Sequence, residues 1–174
     1  IGRLPRACVF HLKRFELNYF TFQRSKVNSR FEFPLRIDLH PYTAVGLRQA
    51  ENRNCGSRSG CGDSLDTVTT AMYRLQGIVV HSGTANYGHY YSYIDVTGEG
   101  TWLEFNDALV RPFDVTNLAA ECFGGKTTKN TWNTDLQQNV QTQQDISRNA
   151  YMLVYMRDDK ANAPTPPSSP LSGL

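Results

Sequence analysis

The sequence predicts an α+β domain in which antiparallel β-strands dominate. Five segments are rich in β-branched and aromatic residues with partial alternation, and turn-forming residues separate them. A short helix is predicted at 114–122, where Asp114 can cap the first turn and Gly124 and Gly125 can end the last one. The predicted strands are RACVFHLKRFEL (6–17), RLQGIVVHSG (74–83), HYYSYIDV (89–96), TWLEFND (101–107) and NAYMLVYMR (149–157).

Size and composition limit the classes of protein that need to be considered. The chain has 174 residues, 40% of them hydrophobic and 20% charged, which suits one globular domain with a real core. No segment has the length and apolarity of a membrane span or a signal peptide, so we expect a soluble protein with no membrane partner. The net charge of +2 is mixed along the chain and forms no basic stripe, which argues against nucleic acid as a partner.

The cysteines indicate a reducing environment and no metal. All four, Cys8, Cys55, Cys61 and Cys122, have irregular spacing in a chain too long to need disulfides. We therefore expect an intracellular protein, cytoplasmic or nuclear. Cys55 and Cys61 raise a zinc interpretation, but five residues separate them, which is not the spacing of a zinc knuckle, and no second pair follows.

Three polar segments are predicted to lie outside the ordered part of the domain. Residues 48–70 are rich in Gly, Ser, Asn and Arg, and residues 133–147 are rich in Gln and Asn, so both are predicted to be flexible insertions. Residues 158–174 have the composition of a disordered tail. The folded domain is therefore predicted to cover 1–157. Because the first residue is not methionine and the chain enters a strand pattern at once, we expect a fragment of a longer protein.

One histidine stands in a setting that favours chemistry. His89 follows Gly88 at the end of a polar loop and opens a predicted strand, although a histidine among aromatic residues is more often a packed structural residue. If the strands at 89–96 and 101–107 form an antiparallel hairpin, Asn106 or Asp107 comes close to His89. A histidine oriented by Asn or Asp is two thirds of a nucleophilic triad.

Five segments, in order, resemble the ubiquitin-specific proteases, which are papain-like cysteine peptidases that remove ubiquitin. The resemblance implies that the fold is the antiparallel β palm of the papain-like fold, and that the chain is the C-terminal half of a catalytic domain. The sequence of residues 30–47 most resembles that of the very large members of the family. The matching segments are LPRACVFHLKRFE (4–16), RFEFPLRIDLHPYT (30–43), YRLQGIVVHSGTANYGHYYSYI (73–94), WLEFNDALV (102–110) and NAYMLVYMR (149–157).

The resemblance also assigns roles to individual residues. His89 matches the general base, Asn106 the residue that orients it, and Asp107 a second polar residue that helps position the imidazole or stabilise the oxyanion. The partners implied are ubiquitin and ubiquitinated proteins, and no cofactor is required. The positions that match ubiquitin contacts are Gly88 and Tyr90, which would lie against the Gly-Gly tail, together with Arg30 and Phe31.

The nucleophilic cysteine of the family is missing from the sequence. The family places this residue in a box of the type G-L-x-N-x-G-N-T-C, and no cysteine here has such neighbours. We therefore predict a deubiquitinase whose base and orienting residue lie in this fragment, and that the fragment alone is inactive. Two alternatives stay open. One is a catalytically inactive ubiquitin-binding module, and the other is a β-rich metal or scaffold domain using His11, His40, His81 and His89.

Overall fold

The computed structural model of the protein describes residues 1–54, 70–133 and 137–159. Eleven strands and two α-helices occur in these ranges, together with short 3-10 helices at His40–Tyr42 and Val115–Asn117. None of the helices in the described ranges has the length and apolarity needed to cross a membrane. In chain order the elements are β1 (Ala7–His11), β2 (Phe15–Leu17), β3 (Arg24–Lys26), β4 (Arg36–Asp38), α1 (Ala44–Asn54), β5 (Met72–Gly83), β6 (Gly88–Asp95), β7 (Trp102–Asn106), β8 (Leu109–Pro112), α2 (Leu118–Cys122), β9 (Lys126–Asn133), β10 (Gln138–Asp145) and β11 (Arg148–Arg157).

The chain divides into two compact units. The larger unit comprises 7–35 and 75–155, and the smaller unit comprises the described residues among 1–6, 36–74 and 156–174. In the larger unit the strands of the main sheet follow the order β1-β11-β5-β6-β7-β8, while β2 pairs with β3 and β9 pairs with β10 in separate two-stranded sheets. The five predicted strands are all present, although the first of them is divided into β1 and β2.

Alternation of more and less buried side chains along the strands explains why these segments form a sheet with one face packed against the core. Along β5, buried positions alternate with half-buried ones over most of the strand, as expected when one face of an antiparallel sheet is covered. The core of the larger unit is built from apolar and aromatic side chains of β5, β6, β7, α2 and β11. Its buried members include Leu75, Ile78, Val80, Tyr93, Trp102, Leu118, Cys122, Leu153 and Tyr155.

The predicted helix after β8 is confirmed together with its end signals. Asp114 accepts a hydrogen bond from the backbone N–H of Thr116 at 2.9 Å and so begins the helical segment. This bond also lowers the pKa of the Asp114 carboxyl. Gly124 and Gly125 end the segment with φ values of 71° and 100°, a left-handed conformation that glycine adopts without strain.

The smaller unit corrects part of the prediction for residues 48–70. Helix α1 continues to Asn54, so the first part of that segment is helical. Thr43 precedes the helix, and its hydroxyl accepts a hydrogen bond from the backbone N–H of Gly46 at 3.0 Å. This bond caps the N-terminus of α1. The rest of the segment, including Cys55 and Cys61 with the zinc interpretation, lies outside the described residues.

The end of the smaller unit also differs from the expected boundary at residue 158. Asp158 is buried, its backbone N–H donates to the carbonyl of Met72 at 2.8 Å, and its carboxylate lies 3.6 Å from the guanidinium of Arg36. The packed part of the chain therefore includes Asp158. The prediction of a disordered tail concerns mainly 160–174, which lie outside the described residues.

The composition of 133–147 suggested a segment without regular structure, but part of it forms a strand. Strands β9 and β10 pair antiparallel from Lys126 with Asp145 to Asn133 with Gln138. Backbone pairing needs no apolar side chains, so a Gln-, Asn- and Thr-rich segment can form a hairpin that a search for apolar alternation misses. The prediction of disorder is wrong for the part covered by β10, and the prediction of flexibility stays a prediction.

Candidate active site

The β6–β7 hairpin brings together the residues that the sequence singled out. Its register pairs Asp95 with Trp102 and Ser92 with Phe105, as expected for the predicted hairpin. The tip is held by Asp95, whose carboxylate accepts the backbone N–H groups of Gly98 and Gly100 at 2.9 and 3.0 Å. Because side chains alternate between faces, the first residues of β6 and the last of β7 meet at the open end of the hairpin.

His89 and Asn106 form a direct hydrogen bond at this open end. The distance from His89 Nε2 to Asn106 Oδ1 is 2.6 Å. An amide oxygen can only accept, so Nε2 carries the proton and Nδ1 is left as the basic nitrogen of the neutral ring. The ring also stacks on Tyr91 at a centroid distance of 6.2 Å. The imidazole is therefore held in one tautomer with a free nitrogen facing away from Asn106.

Asp107 lies near the same imidazole, but farther away and more exposed. Its Oδ2 is 3.8 Å from His89 Nε2, and its side chain is 81% exposed against 47% for that of His89. The residue follows the last residue of β7 and has a φ of 51°. In this left-handed conformation the strict alternation of strand side chains no longer applies, which explains how two consecutive side chains both approach one ring.

Behind Asn106 lies an ion pair with a buried carboxylate, which the sequence did not reveal. Asn106 Nδ2 donates to Glu104 Oε1 at 3.3 Å. Arg111 of β8 donates to both oxygens of the same carboxylate, from Nε to Oε2 at 3.0 Å and from NH2 to Oε1 at 3.1 Å. Glu104 is 5% exposed. The signal for it was a charged residue at an inward position of a strand, two residues from Trp102.

The other predicted contact residues of β6 line a cleft of about 580 Å³. Gly88 stands where a side chain has no room, because a Cβ there would lie 2.1 Å from Nε2 of His81. The ring of Tyr90 packs on that of His81, with centroids 4.7 Å apart. His89 is not among the lining residues, as expected from its position between two of them on a strand. The remaining lining residues are Phe15, Glu16, Leu17, Arg24, Thr84, Ala85, Asn86 and Tyr87.

Burial and the nearby charge of Lys26 both favour the neutral form of His81. Lys26 donates from Nζ to the carbonyl of His81 at 2.9 Å and to that of Ser147 at 2.5 Å. Burial, and then the nearby charge of Arg14, lower the pKa of Lys26 to about 8. Burial, and then the charge of Lys26, lower the pKa of His81 below its ordinary value. His81 is therefore an uncharged aromatic wall of the cleft at neutral pH.

Arg30 and Phe31 lie at a different place on the larger unit. Arg30 pairs with Glu32 at 2.7 Å, and its guanidinium lies 5.2 Å from the ring centre of Phe123. The residue borders a second depression of about 470 Å³, together with Lys26, Lys126 and Asp145. Phe31 is 46% exposed. The structure thus joins His89 with Asn106 and Asp107, and Gly88 with Tyr90, but it does not bring Arg30 and Phe31 to either group.

Cys122 does not have the properties of an activated nucleophile. Cys122 is fully buried at the end of α2. Burial, and then the charge of Glu121, raise the pKa of its thiol to about 12. Cys8 is half-buried in β1. An activated thiol needs partial exposure and an electropositive setting, which Cys122 lacks.

Comparison with known proteins identifies the family. The profile of the family described as ubiquitin carboxyl-terminal hydrolase matches residues 1–155. Ubiquitin carboxyl-terminal hydrolase 34 of Mus musculus is 39% identical over 161 residues, which cover 89% of this chain and 4% of that protein. Ubiquitin carboxyl-terminal hydrolase 24 of Homo sapiens is 35% identical over 183 residues, which cover 96% of this chain and 7% of that protein.

A solved structure shares the fold. A chain in the structure of the yeast SAGA DUBm superposes with a TM-score of 0.56 at 24% identity, and the match covers 90% of this chain and 24% of that one. Together with the family match, this confirms the fold class as α+β with the antiparallel sheet of the papain-like fold. This chain spans only a small part of each relative that it matches. The extent of the profile match and the identity to these relatives show that the chain belongs to the ubiquitin carboxyl-terminal hydrolase family.

Proposed function

We propose that this chain supplies the general base of a thiol-dependent deubiquitinase, which hydrolyses the bond after the C-terminal glycine of ubiquitin. The observation that carries the proposal is the 2.6 Å hydrogen bond from His89 Nε2 to Asn106 Oδ1. It leaves Nδ1 unprotonated and able to accept the proton of a thiol. Membership of the ubiquitin carboxyl-terminal hydrolase family supports ubiquitin as the substrate.

The nucleophile in this proposal is a cysteine outside these 174 residues. Burial and the raised pKa of the Cys122 thiol argue against that residue, and the relatives are many times longer than this chain. Proton transfer from the thiol to Nδ1 of His89 gives a thiolate and an imidazolium, and the thiolate attacks the carbonyl carbon of the terminal glycine. The imidazolium then protonates the leaving lysine amine, and water, deprotonated by the neutral ring, cleaves the thioester to release ubiquitin.

Asn106 and Asp107 have different roles in this proposal. Asn106 orients the ring and fixes its tautomer through the 2.6 Å hydrogen bond. Asp107, whose carboxylate lies 3.8 Å from Nε2, contributes a weaker attraction to the imidazolium because its side chain is 81% exposed and screened by water.

The cleft lined by Gly88 and Tyr90, which His89 itself does not line, supports a narrow, extended substrate. Gly88 and the rings of Tyr87, Tyr90 and Phe15 border it. A Gly-Gly tail carries no side chains and suits a cleft bordered by several aromatic rings and a glycine, and we propose that peptides with larger side chains are excluded by size. Arg30 and Phe31 are proposed to contact the body of ubiquitin rather than its tail. Ubiquitinated proteins in a reducing, intracellular compartment are the proposed physiological substrates, and neither nucleic acid nor a membrane is a proposed partner.

The test uses the full-length protein that contains this sequence and ubiquitin whose C-terminus carries a fluorophore amide. We expect hydrolysis, loss of hydrolysis in His89→Ala, and labelling of a cysteine outside residues 1–174 by ubiquitin with a C-terminal electrophile, identified by mass spectrometry. Binding of ubiquitin without hydrolysis or labelling would contradict the proposal and favour the inactive ubiquitin-binding module.

A further inference from the structure

A buried carboxylate lies directly behind the residue that orients His89. Glu104 is on β7 two positions before Asn106, so both side chains belong to the same face of the strand. It is 5% exposed, and burying an ionised carboxylate is unfavourable unless its oxygens are paired. The burial of the Glu104 carboxylate therefore needs a structural or functional explanation.

Arg111 fixes the position of the carboxylate and balances its charge. Its guanidinium donates to both oxygens of Glu104 at 3.0 and 3.1 Å. This bidentate arrangement fixes the relative orientation of the two planar groups. The Arg111 side chain is 59% exposed and reaches in from β8, which pairs with β7 in a register that sets Glu104 opposite Arg111. One lone pair of Oε1 remains for Asn106, whose Nδ2 donates to it at 3.3 Å.

An ionised carboxylate can only accept hydrogen bonds, and this decides which way the amide of Asn106 faces. With Nδ2 donating to Glu104, Oδ1 must point to His89, where it accepts the proton of Nε2 at 2.6 Å. If the amide were rotated by about 180°, its Nδ2 would face His89, Nε2 would have to accept, and the proton would move to Nδ1. A ring that is already protonated on Nδ1 cannot accept the proton of a thiol at that nitrogen.

We propose that Glu104, held by Arg111, is a positioning residue that fixes the Asn106 amide and through it the catalytic tautomer of His89. The inference rests on the proposed thiol chemistry of His89 and adds to it a group that touches neither substrate nor the reacting atoms. Asp107 does not replace Glu104 in this role, because its carboxylate lies near Nε2 itself and not near Nδ2 of Asn106.

The contact between Glu104 and Asn106 predicts an unusual outcome when the carboxylate and the amide are exchanged between the two positions. Considered alone, the bond to His89 would tolerate a carboxylate at position 106. Asn106→Asp, however, places a second carboxylate beside the buried one of Glu104, and like charges at this distance repel. Glu104→Gln removes the acceptor-only group and allows the Asn106 amide to rotate. The double variant Glu104→Gln/Asn106→Asp restores one amide donor beside one carboxylate, so the carboxylate introduced at position 106 is not opposed and can accept from His89.

The experiment measures kcat and KM of the full-length protein with ubiquitin–fluorophore amide across pH. Each single variant should lower kcat on the order of 10–10²-fold with little change in KM, because an incorrect tautomer removes the base. The double variant should recover to within about threefold of the parent protein, since the coupling between contacting residues is then restored. Glu51→Gln, which removes an exposed carboxylate from α1, is the matched control and should leave kcat unchanged.

A second readout does not depend on hydrolysis. Histidine labelled with ¹⁵N reports the tautomer of His89 through the chemical shifts of its two ring nitrogens, and we expect protonated Nε2 in the parent and in the double variant. Arg111→Ala, which removes the guanidinium that holds the buried carboxylate of Glu104, should raise the population protonated on Nδ1, and it is compared only if the variant is folded. Unchanged shifts and unchanged kcat in both Glu104→Gln and Arg111→Ala overturn the inference. Absence of hydrolysis in the parent overturns the proposed function, while the shifts still decide the role of Glu104.

Discussion

The larger unit contains two antiparallel hairpins whose surroundings are opposite. In the β6–β7 hairpin, Tyr93, Asp95, Trp102 and Glu104 are all buried, and the strands belong to the main sheet. In the β9–β10 hairpin every described side chain is exposed except that of Val140, which is half-buried, and the two strands pair only with each other. An isolated two-stranded ribbon is marginally stable in water. The candidate catalytic pair lies on the hairpin whose geometry is fixed by packing within the main sheet and its core.

This difference shows what the site requires of its scaffold. A base and its orienting residue must keep a hydrogen bond within a few tenths of an ångström, which needs strands whose register cannot slip. Tyr93 and Trp102 fix the β6–β7 register by burial. The β9–β10 hairpin relies mainly on amide and hydroxyl side chains for that purpose, including a 3.5 Å contact between the hydroxyls of Thr131 and Thr142.

The largest expected contrast between the hairpins is in turnover. His89→Ala removes the proposed base and should lower kcat on the order of 10³-fold or more, as expected when a triad base is lost. Trp132→Ala changes the most prominent side chain of the β9–β10 hairpin, which is 57% exposed, and should leave kcat within about twofold of the parent. Both are measured in the full-length protein with ubiquitin–fluorophore amide. A loss in Trp132→Ala comparable to that in His89→Ala would mean that the second hairpin takes part in the site.

The two tryptophans test the packing part of the comparison. Trp102 is 6% exposed and Trp132 is 57% exposed. Trp102→Ala leaves a cavity and should cost about 3–5 kcal/mol of unfolding free energy, whereas Trp132→Ala should change it by less than about 0.5 kcal/mol. Hydrogen exchange measured by mass spectrometry on peptides covering β6 and β7 reports both effects in the intact protein. Equal exchange in the two variants would show that burial does not distinguish the hairpins.

A smaller effect is expected at the first residue of β6. Gly88→Ala places a methyl group 2.1 Å from Nε2 of the buried His81, so either the ring or the strand must move. Overpacking of this kind should cost about 1–3 kcal/mol, and it should raise KM for ubiquitin–fluorophore amide because Gly88 also lines the cleft. Gly2→Ala is the control, since a Cβ there meets nothing within 4 Å. Equal stability and equal KM in the two variants would contradict the tight contact.

The smallest expected effect concerns the thiol of Cys122. Its pKa is raised to about 12 by burial, so it remains protonated and unreactive near neutral pH. Cys122→Ala should keep turnover within about threefold of the parent, and native protein should resist alkylation at this position. If Cys122→Ala abolished hydrolysis in a folded protein, the nucleophile would have been assigned to the wrong part of the protein.

The sequence predicted the β6–β7 hairpin and missed the β9–β10 hairpin for the same physical reason. Residues 89–96 and 101–107 are rich in aromatic and β-branched residues with partial alternation, which is the signal of a half-buried strand. The residues of β9 and β10 are mostly polar on both faces, so the main force that pairs them is backbone hydrogen bonding, which leaves no pattern in the sequence.

Details of the site that depend on register or backbone conformation were not predictable. The pairing of Glu104 with Arg111 follows from the β7–β8 register, and the approach of Asp107 follows from its φ of 51°. The sequence also grouped Gly88 and Tyr90 with His89 because they are neighbours in the chain. In the structure they line a cleft that His89 does not border, since adjacent strand residues face opposite sides.

The central claim is that the β6–β7 hairpin holds His89 in its basic tautomer through Asn106 and not through Asp107. The most direct measurement is kcat of Asn106→Ala and of Asp107→Ala in the full-length protein, with ubiquitin–fluorophore amide at fixed pH. The distances of 2.6 and 3.8 Å to Nε2 predict a loss on the order of 10–10³-fold for Asn106→Ala and a change within about threefold for Asp107→Ala. A larger loss in Asp107→Ala than in Asn106→Ala, with both proteins folded, would contradict the claim and transfer the orienting role to Asp107.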